Sequence, residues 1–376
     1  MVEASRELKL SCHCGTNTHT FTVPLSSLPL PAHFCNCNIS RRISGSLLTS
    51  YISLPSTSPT SPNPDLSALT PYKSSDILTR YFCTTCGTHM YLEYASDGHF
   101  EAATGTLIVE STDGIVDFKA HIWVEDTPDG GASNFITAIN GNPLPRYLRE
   151  PDQSEEAPLS FQLSTTITHG ATGSIRAHCH CTGTQFFIHP PNPSSKTASS
   201  SYPDLLVPYH SGSPANPQNY PWWLPYPTRY LAGTCTCVSC RRCSGFDITF
   251  WAFIPTCNIS LDSAGTIPFS RNPYWGTMKT YRSSGNVTRT FCSVCGANVF
   301  WDGDARQSIV DVAVGLLDAG SGALAQELLA WWPGRVSFCE EGINKGLVGG
   351  LEEGLRDWAE RRKGEGFVAT GTFPVV

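Results

Sequence analysis

Sulfur dominates the chemistry this chain could do. Sixteen of its 376 residues are cysteine, and twelve of them form six pairs spaced C-x-C or C-x-x-C. The first half carries Cys12/Cys14, Cys35/Cys37 and Cys83/Cys86; the second carries Cys179/Cys181, Cys235/Cys237 and Cys292/Cys295. Thiols this close in sequence point to metal before disulfide in a reducing compartment. Two such pairs can build one tetrahedral four-sulfur site, the arrangement of closed structural zinc. Cys12, Cys14, Cys83 and Cys86 are one candidate set, and Cys179, Cys181, Cys292 and Cys295 the other. Gly87 and Gly296 follow the C-x-x-C pairs and permit the positive φ that turns both sulfurs inward.

The unit Cys235-Thr236-Cys237-Val238-Ser239-Cys240-Arg241-Arg242 differs. Three thiolates within six residues can hold one zinc and leave a coordination position empty, as a catalytic metal requires. A substrate thiol could enter there as thiolate, because zinc lowers its pKa. Arg241 and Arg242 add positive charge beside this sulfur group and could hold a ligand carboxylate. Cys235, Cys237, Cys240 and Arg241 are therefore the candidate catalytic residues. Cys243 is read as a buried free thiol; as a fourth ligand it would close the site and make it structural. In the first half Ser40 stands where the third thiol should be. Cys35 and Cys37 remain candidate ligands of a site expected to bind metal weakly or not at all, with His33 the nearest substitute.

The units recur in one order, and both middle units continue alike, as Arg41-Arg42-Ile43-Ser44-Gly45 and Arg241-Arg242-Cys243-Ser244-Gly245. Such internal similarity indicates a tandem duplication. We expect a first domain over 1–150, a polar Pro-bearing linker over 151–160 and a second domain over 161–376. A Pro/Ser-rich stretch over 190–230 cannot form sheet or helix interior and reads as a surface insertion. Its Trp222, Trp223, Tyr226 and Tyr230 either anchor it or line a substrate mouth; packing is the preferred reading. A smaller version spans 55–71.

The elements that must position these sulfurs are mostly strands. Gly and Pro number 32 and 28, favouring short strands and turns over long helices. Runs rich in β-branched and aromatic residues at 246–254, 297–301, 308–314, 89–94 and 121–125 read as strands. One helix is expected over 347–363, where Leu347, Leu351, Leu355 and Trp358 recur at helical spacing. The fold class is mainly β, in two tandem domains with a C-terminal helix. Hydrophobic residues are 40% of the chain, which excludes disorder, and the net charge of −7 with no basic run excludes nucleic acid as the main partner. No apolar stretch is long enough to span a bilayer, and the N-terminus lacks a secretory h-region. A cytoplasmic protein with no membrane partner is expected.

The order C-x-C, C-x-C-x-x-C-R-R, F-C-x-x-C-G resembles the glutathione-dependent formaldehyde-activating enzyme family, also called the centromere protein V domain. The second half matches at every cysteine, and the first at all but Ser40. The stretches Lys279-Thr280-Tyr281, Arg289-Thr290-Phe291-Cys292, Val310 to Gly315 and His121 to Asp126 also look like the family's flanks. The resemblance implies a β-tent fold, four-cysteine structural zinc sites and a three-cysteine catalytic zinc at Cys235, Cys237 and Cys240. It implies carbon–sulfur lyase chemistry on adducts of a small glutathione-like thiol and an aldehyde. The alternative is a non-catalytic zinc scaffold or interaction module. Asp311 and His121 are read as satisfied buried polar residues. His13 and His180, between paired ligands, should face away from their metal. Cys257 and Cys339 are read as packing residues.

Overall fold

The computed structural model describes residues 4–55, 62–158, 170–200 and 219–362. The chain is mainly β, and each half repeats one plan. A hairpin opens it: Ser5–Ser11 with Thr18–Pro24 in the first half, Ile175–His178 with Gln185–Ile188 in the second. Alternation drives the first of these. Leu8 and Leu10 are buried while Glu7 and Lys9 face solvent, the period-two pattern of a sheet wet on one side.

The second half then builds a seven-stranded sheet in the order Met278–Ser284, Val287–Cys292, Asn298–Gly303, Ile309–Ala313, Thr249–Pro255, Tyr230–Cys235, Leu329–Trp331. Only the last pairing is parallel. All seven residues of Thr249–Pro255, inside the sheet, are buried. The first half splits the same plan in two. Five strands run Tyr51–Ser53, Phe100–Ala103, His89–Tyr94, Leu78–Cys83, Leu69–Lys73, and a separate parallel pair joins Leu30–Cys35 to Val116–Ile122.

The strands expected at 246–254, 297–301, 308–314 and 89–94 form within a few residues of those bounds. The one expected at 121–125 lies earlier, as Val116–Ile122, because Trp123 takes a left-handed φ of 57° and starts a 3-10 turn. Two helices escape the sequence pattern. Asn38–Ser44 and Val238–Ser244 are seven residues each, too short for a periodic signal. Each opens on a cysteine whose sulfur accepts a backbone N–H and closes on a left-handed glycine, Gly45 or Gly245.

The halves pack against each other through reciprocal contacts and share one hydrophobic core. Gly105 N–H donates to the Gly245 carbonyl at 2.9 Å, and Gly315 N–H to the Gly45 carbonyl at 2.9 Å. At both cap glycines the partner half arrives so closely that a Cβ would lie 2.2 Å from His89 O or 2.3 Å from Asn298 O. Phe82 and Phe291, at equivalent positions of the two halves, meet edge to face. The expected terminal helix runs over Lys345–Arg361, with Asn344 as its N-cap, and residue 363 lies outside the described residues. It lies on the first half: Gly350 and Gly354 face the carbonyls of Ala138 and Phe135, and Trp358 packs on Phe135. Among the described residues no helix is long and apolar enough to cross a membrane.

Of the 190–230 stretch, 201–218 lies outside the described residues, as do 56–61 of the smaller insertion and 159–160 of the expected linker. The described part is anchored. Trp222, Trp223 and Tyr230 are buried, Trp223 Nε1 donates to Ser195 O at 3.0 Å, and Tyr230 Oη donates to His189 O at 2.9 Å.

Candidate active site

Hairpin turns bring the first sulfurs together. Cys12 and Cys14 sit in the opening turn of the first half, and Cys83 and Cys86 in the turn between Leu78–Cys83 and His89–Tyr94. Their four sulfurs lie within 4.8 Å of one another, and so do those of Cys179, Cys181, Cys292 and Cys295. Contacts of 3.4 Å between Cys12 and Cys14 and 3.6 Å between Cys14 and Cys83 leave sulfur facing sulfur around one point. Four convergent thiols with no competing donor suit a tetrahedral thiophilic ion such as zinc.

The third group is Cys235, Cys237 and Cys240, again within 4.8 Å. Strand Tyr230–Cys235 delivers the first, and the helix after it the other two. Its first turn folds back so that Cys240 N–H donates to Cys237 Sγ at 3.2 Å. Among the described residues no fourth thiol, imidazole or carboxylate joins them. Cys243 is buried and outside the group, and burial pushes its thiol up to about 11. It is the free thiol expected.

A cavity of about 500 Å³ opens over these sulfurs. Trp251, Phe253, Trp301 and Phe338 supply much of its wall, with Arg289, Arg306 and Asp311 among the polar groups. Arg289 is buried and donates from Nη2 to Cys240 Sγ at 3.3 Å and to Ser239 Oγ at 3.2 Å. Burial opposes its charge, but the sulfurs of Cys240 and Cys243 outweigh that and hold its pKa above the ordinary value. Hydrogen bonds from Cys235 and Cys237, with Arg289 beside them, hold the Cys240 thiol well below its usual range. Asp311 pairs with Arg306 at 2.5 Å. Burial nevertheless pushes its carboxyl up to about 6.

One wall residue comes from the other half. His13 lies between Cys12 and Cys14, outside their sulfur group, and reaches into the second half's cavity. Its Nδ1 is 2.8 Å from Tyr281 Oη and its Nε2 3.4 Å from Ser239 Oγ. His180 makes the matching contact with Tyr72 at 2.7 Å.

A sequence model of one protein family, the glutathione-dependent formaldehyde-activating enzyme family, matches residues 7–126 and 227–333. Together these spans cover more than half of the chain. The chain belongs to that family. It carries two copies of the family's domain in tandem, each with its own set of cysteine units. Among curated proteins none matches the chain.

Not every residue expected at the family's site stands there. Arg241 is buried, but it points away from the cavity and donates to the carbonyls of Gly105 and Leu107 at 2.6 and 3.1 Å. Arg242 likewise donates to Cys12 O at 2.7 Å and Ser11 Oγ at 3.1 Å. Both arginines staple the two copies together, and the cation beside the sulfurs is Arg289. Its signal is present in the sequence: Arg80-Tyr81-Phe82-Cys83 and Arg289-Thr290-Phe291-Cys292 hold arginine at the same place in each copy. Asp311, read as structural, both keeps an ion-pair partner and faces the cavity. His121 fits its structural reading, with Nε2 2.9 Å from Ile136 O.

In the first copy Cys35 and Cys37 meet no third ligand among the described residues, His33 included. Ser40 Oγ donates to Cys35 Sγ at 3.3 Å and receives Arg80 Nη2 at 3.2 Å. Tyr51 Oη accepts from the same guanidinium at 3.0 Å. The hydroxyls of Ser40 and Tyr51 thus occupy the arginine that serves a thiol in the second copy. Cys257, expected in packing, is exposed.

Proposed function

We propose that the second copy is a zinc-dependent carbon–sulfur lyase acting on thiol–aldehyde adducts, and that the first copy is its non-catalytic partner. The observation that carries this is the group Cys235, Cys237 and Cys240: three sulfurs at the floor of a cavity, with no fourth protein donor among the described residues. Cys12, Cys14, Cys83 and Cys86, and Cys179, Cys181, Cys292 and Cys295, would hold structural zinc. Zinc on Cys235, Cys237 and Cys240 would keep one position for a substrate sulfur and favour its thiolate at neutral pH.

The reaction is reversible addition. A thiol RS–H and an aldehyde R′CHO form one C–S bond, the carbonyl π pair goes to oxygen, and the thiol proton ends on that oxygen. The lyase direction reverses each change, and no net oxidation occurs. Three thiolates with one divalent ion carry net charge −1, and Arg289, donating to Cys240 Sγ, offsets it where water is scarce. Asp311, titrating near 6, is ionised at neutral pH and can accept the thiol proton at its carboxylate. Arg306 fixes that carboxylate. The aromatic walls keep bulk water from competing with the thiol.

Elemental analysis and turnover of the same sample test this. Three zinc ions per chain are expected. Cys240→Ser should lose one ion and cut adduct breakdown at least about 10³-fold while the fold persists. A folded Cys240→Ser protein with undiminished zinc would defeat the proposal, and two ions in the native chain would favour the scaffold reading.

A further inference from the structure

We infer that the cavity above Cys240 takes an uncharged aryl or branched-alkyl group, so that the adduct handled here bears such a group on carbon or on sulfur. The inference rests on the thiol-adduct reading above and names its substrate class.

Size is the first argument. A cavity of about 500 Å³ falls in the range that engulfs drug-sized ligands, so it can enclose a sizeable group beyond the reacting carbon and sulfur. Wall chemistry is the second. Trp251 and Phe253 project from the buried strand Thr249–Pro255 and Trp301 from Asn298–Gly303, with Val287 and Phe338 beside them; the polar lining includes the uncharged Ser283, Ser284, Asn286 and Ser337. Such rings favour a partner that loses little on leaving water.

Charge is the third. Glutathione carries two carboxylates and one ammonium, and each needs a partner if buried. The cavity offers two cations, and both are engaged. Arg289 donates to Ser283, Ser239 and Cys240. Arg306 is neutralised by Asp311 at 2.5 Å and stacks on Trp301, its guanidinium carbon 4.5 Å from the ring centre. No lysine lines the wall. Neither guanidinium is left over to balance two carboxylates.

The zinc-loaded full chain is offered four pairs: glutathione or benzyl mercaptan as thiol, formaldehyde or phenylacetaldehyde as aldehyde. Adduct breakdown is followed by NMR exchange. At least one phenyl-bearing pair should exceed the glutathione–formaldehyde pair at least about tenfold in kcat/KM, and the better arm says which side of the adduct carries the ring. Equal or greater rates with glutathione and formaldehyde overturn the inference. If no pair turns over, the lyase reading fails, and tryptophan quenching still decides the cavity's preference. Benzyl mercaptan should then bind at least about tenfold more tightly than glutathione; equal or weaker binding overturns it. Val287 is half-buried at the start of its strand, so Val287→Asp should fold. It should reduce the benzyl preference at least about fivefold, and an unchanged preference also overturns the inference.

Discussion

His13 Nδ1 lies 2.8 Å from the Tyr281 hydroxyl, and this contact carries a side chain of the first copy into the cavity of the second. The mirror pair, His180 and Tyr72, is equally close at 2.7 Å. Beyond these pairs the two ends diverge. Ser239 continues from His13 Nε2 toward Arg289 and Cys240, whereas its counterpart in the first copy is Ile39. One end is a polar path to a sulfur, and the other has no hydroxyl at the matching position. His13→Ala should therefore lower adduct turnover about tenfold, chiefly in kcat, with the zinc count unchanged. His180→Ala, made in the equivalent turn, should leave turnover within about twofold. Equal effects from both would reduce His13 to interface packing.

Ser40 is one atom away from completing the first copy's middle unit. Its Oγ already lies 3.3 Å from Cys35 Sγ. Ser40→Cys should raise the zinc content from about three to about four ions per chain, read by elemental analysis. An unchanged count would mean that Arg80 and Tyr51 hold the site shut regardless of the ligand at 40.

Asp311 gives the reaction a pH signature. Burial raises its carboxyl to about 6 against the pull of Arg306, with Cys240 raising it further and Arg289 lowering it. Its base form is lost as pH falls through that value. The logarithm of kcat/KM should thus climb with a slope near one below about pH 6 and level above it. Asp311→Asn should lack that limb and run about 10²-fold slower on the plateau. A limb near pH 6 that survives the substitution would assign it to another group.

The cap glycines test the contact between copies. Gly245 has a φ of 90°, and a Cβ there would sit 2.2 Å from His89 O. Gly15 has a similar φ of 79° with nothing within 4 Å. Gly15→Ala should cost about 1 kcal/mol, the left-handed strain alone. Gly245→Ala should cost about 3 kcal/mol or more, because a backbone carbonyl of the other copy must move. Denaturant unfolding of the two variants isolates the difference.

Much of this was legible from cysteine spacing, because chelation imposes a short, fixed geometry on neighbouring thiols. The three sulfur groups, the strands beside them and the terminal helix follow from local pattern. What local pattern cannot carry is the meeting of two copies. Arg241 and Arg242 look like site cations in a lone domain and become staples once the carbonyls of Gly105 and Cys12 arrive. Alternation along the chain turns His13 from its own cluster, but its destination lies 226 residues on, at Ser239. Arg289 sits in a flank common to both copies, and only the three-dimensional turn of its strand places it on Cys240.

The packing of the copies against each other has a consequence for the first copy. A duplicated gene whose spare catalytic unit has decayed is ordinarily free to discard it. Here the first copy furnishes a wall residue, His13, and the carbonyls that accept from Arg241 and Arg242, so trimming it away would strip one side chain from the cavity and leave two guanidinium groups without those acceptors. On the proposed function, the first copy would persist as the second copy's scaffold even without chemistry of its own.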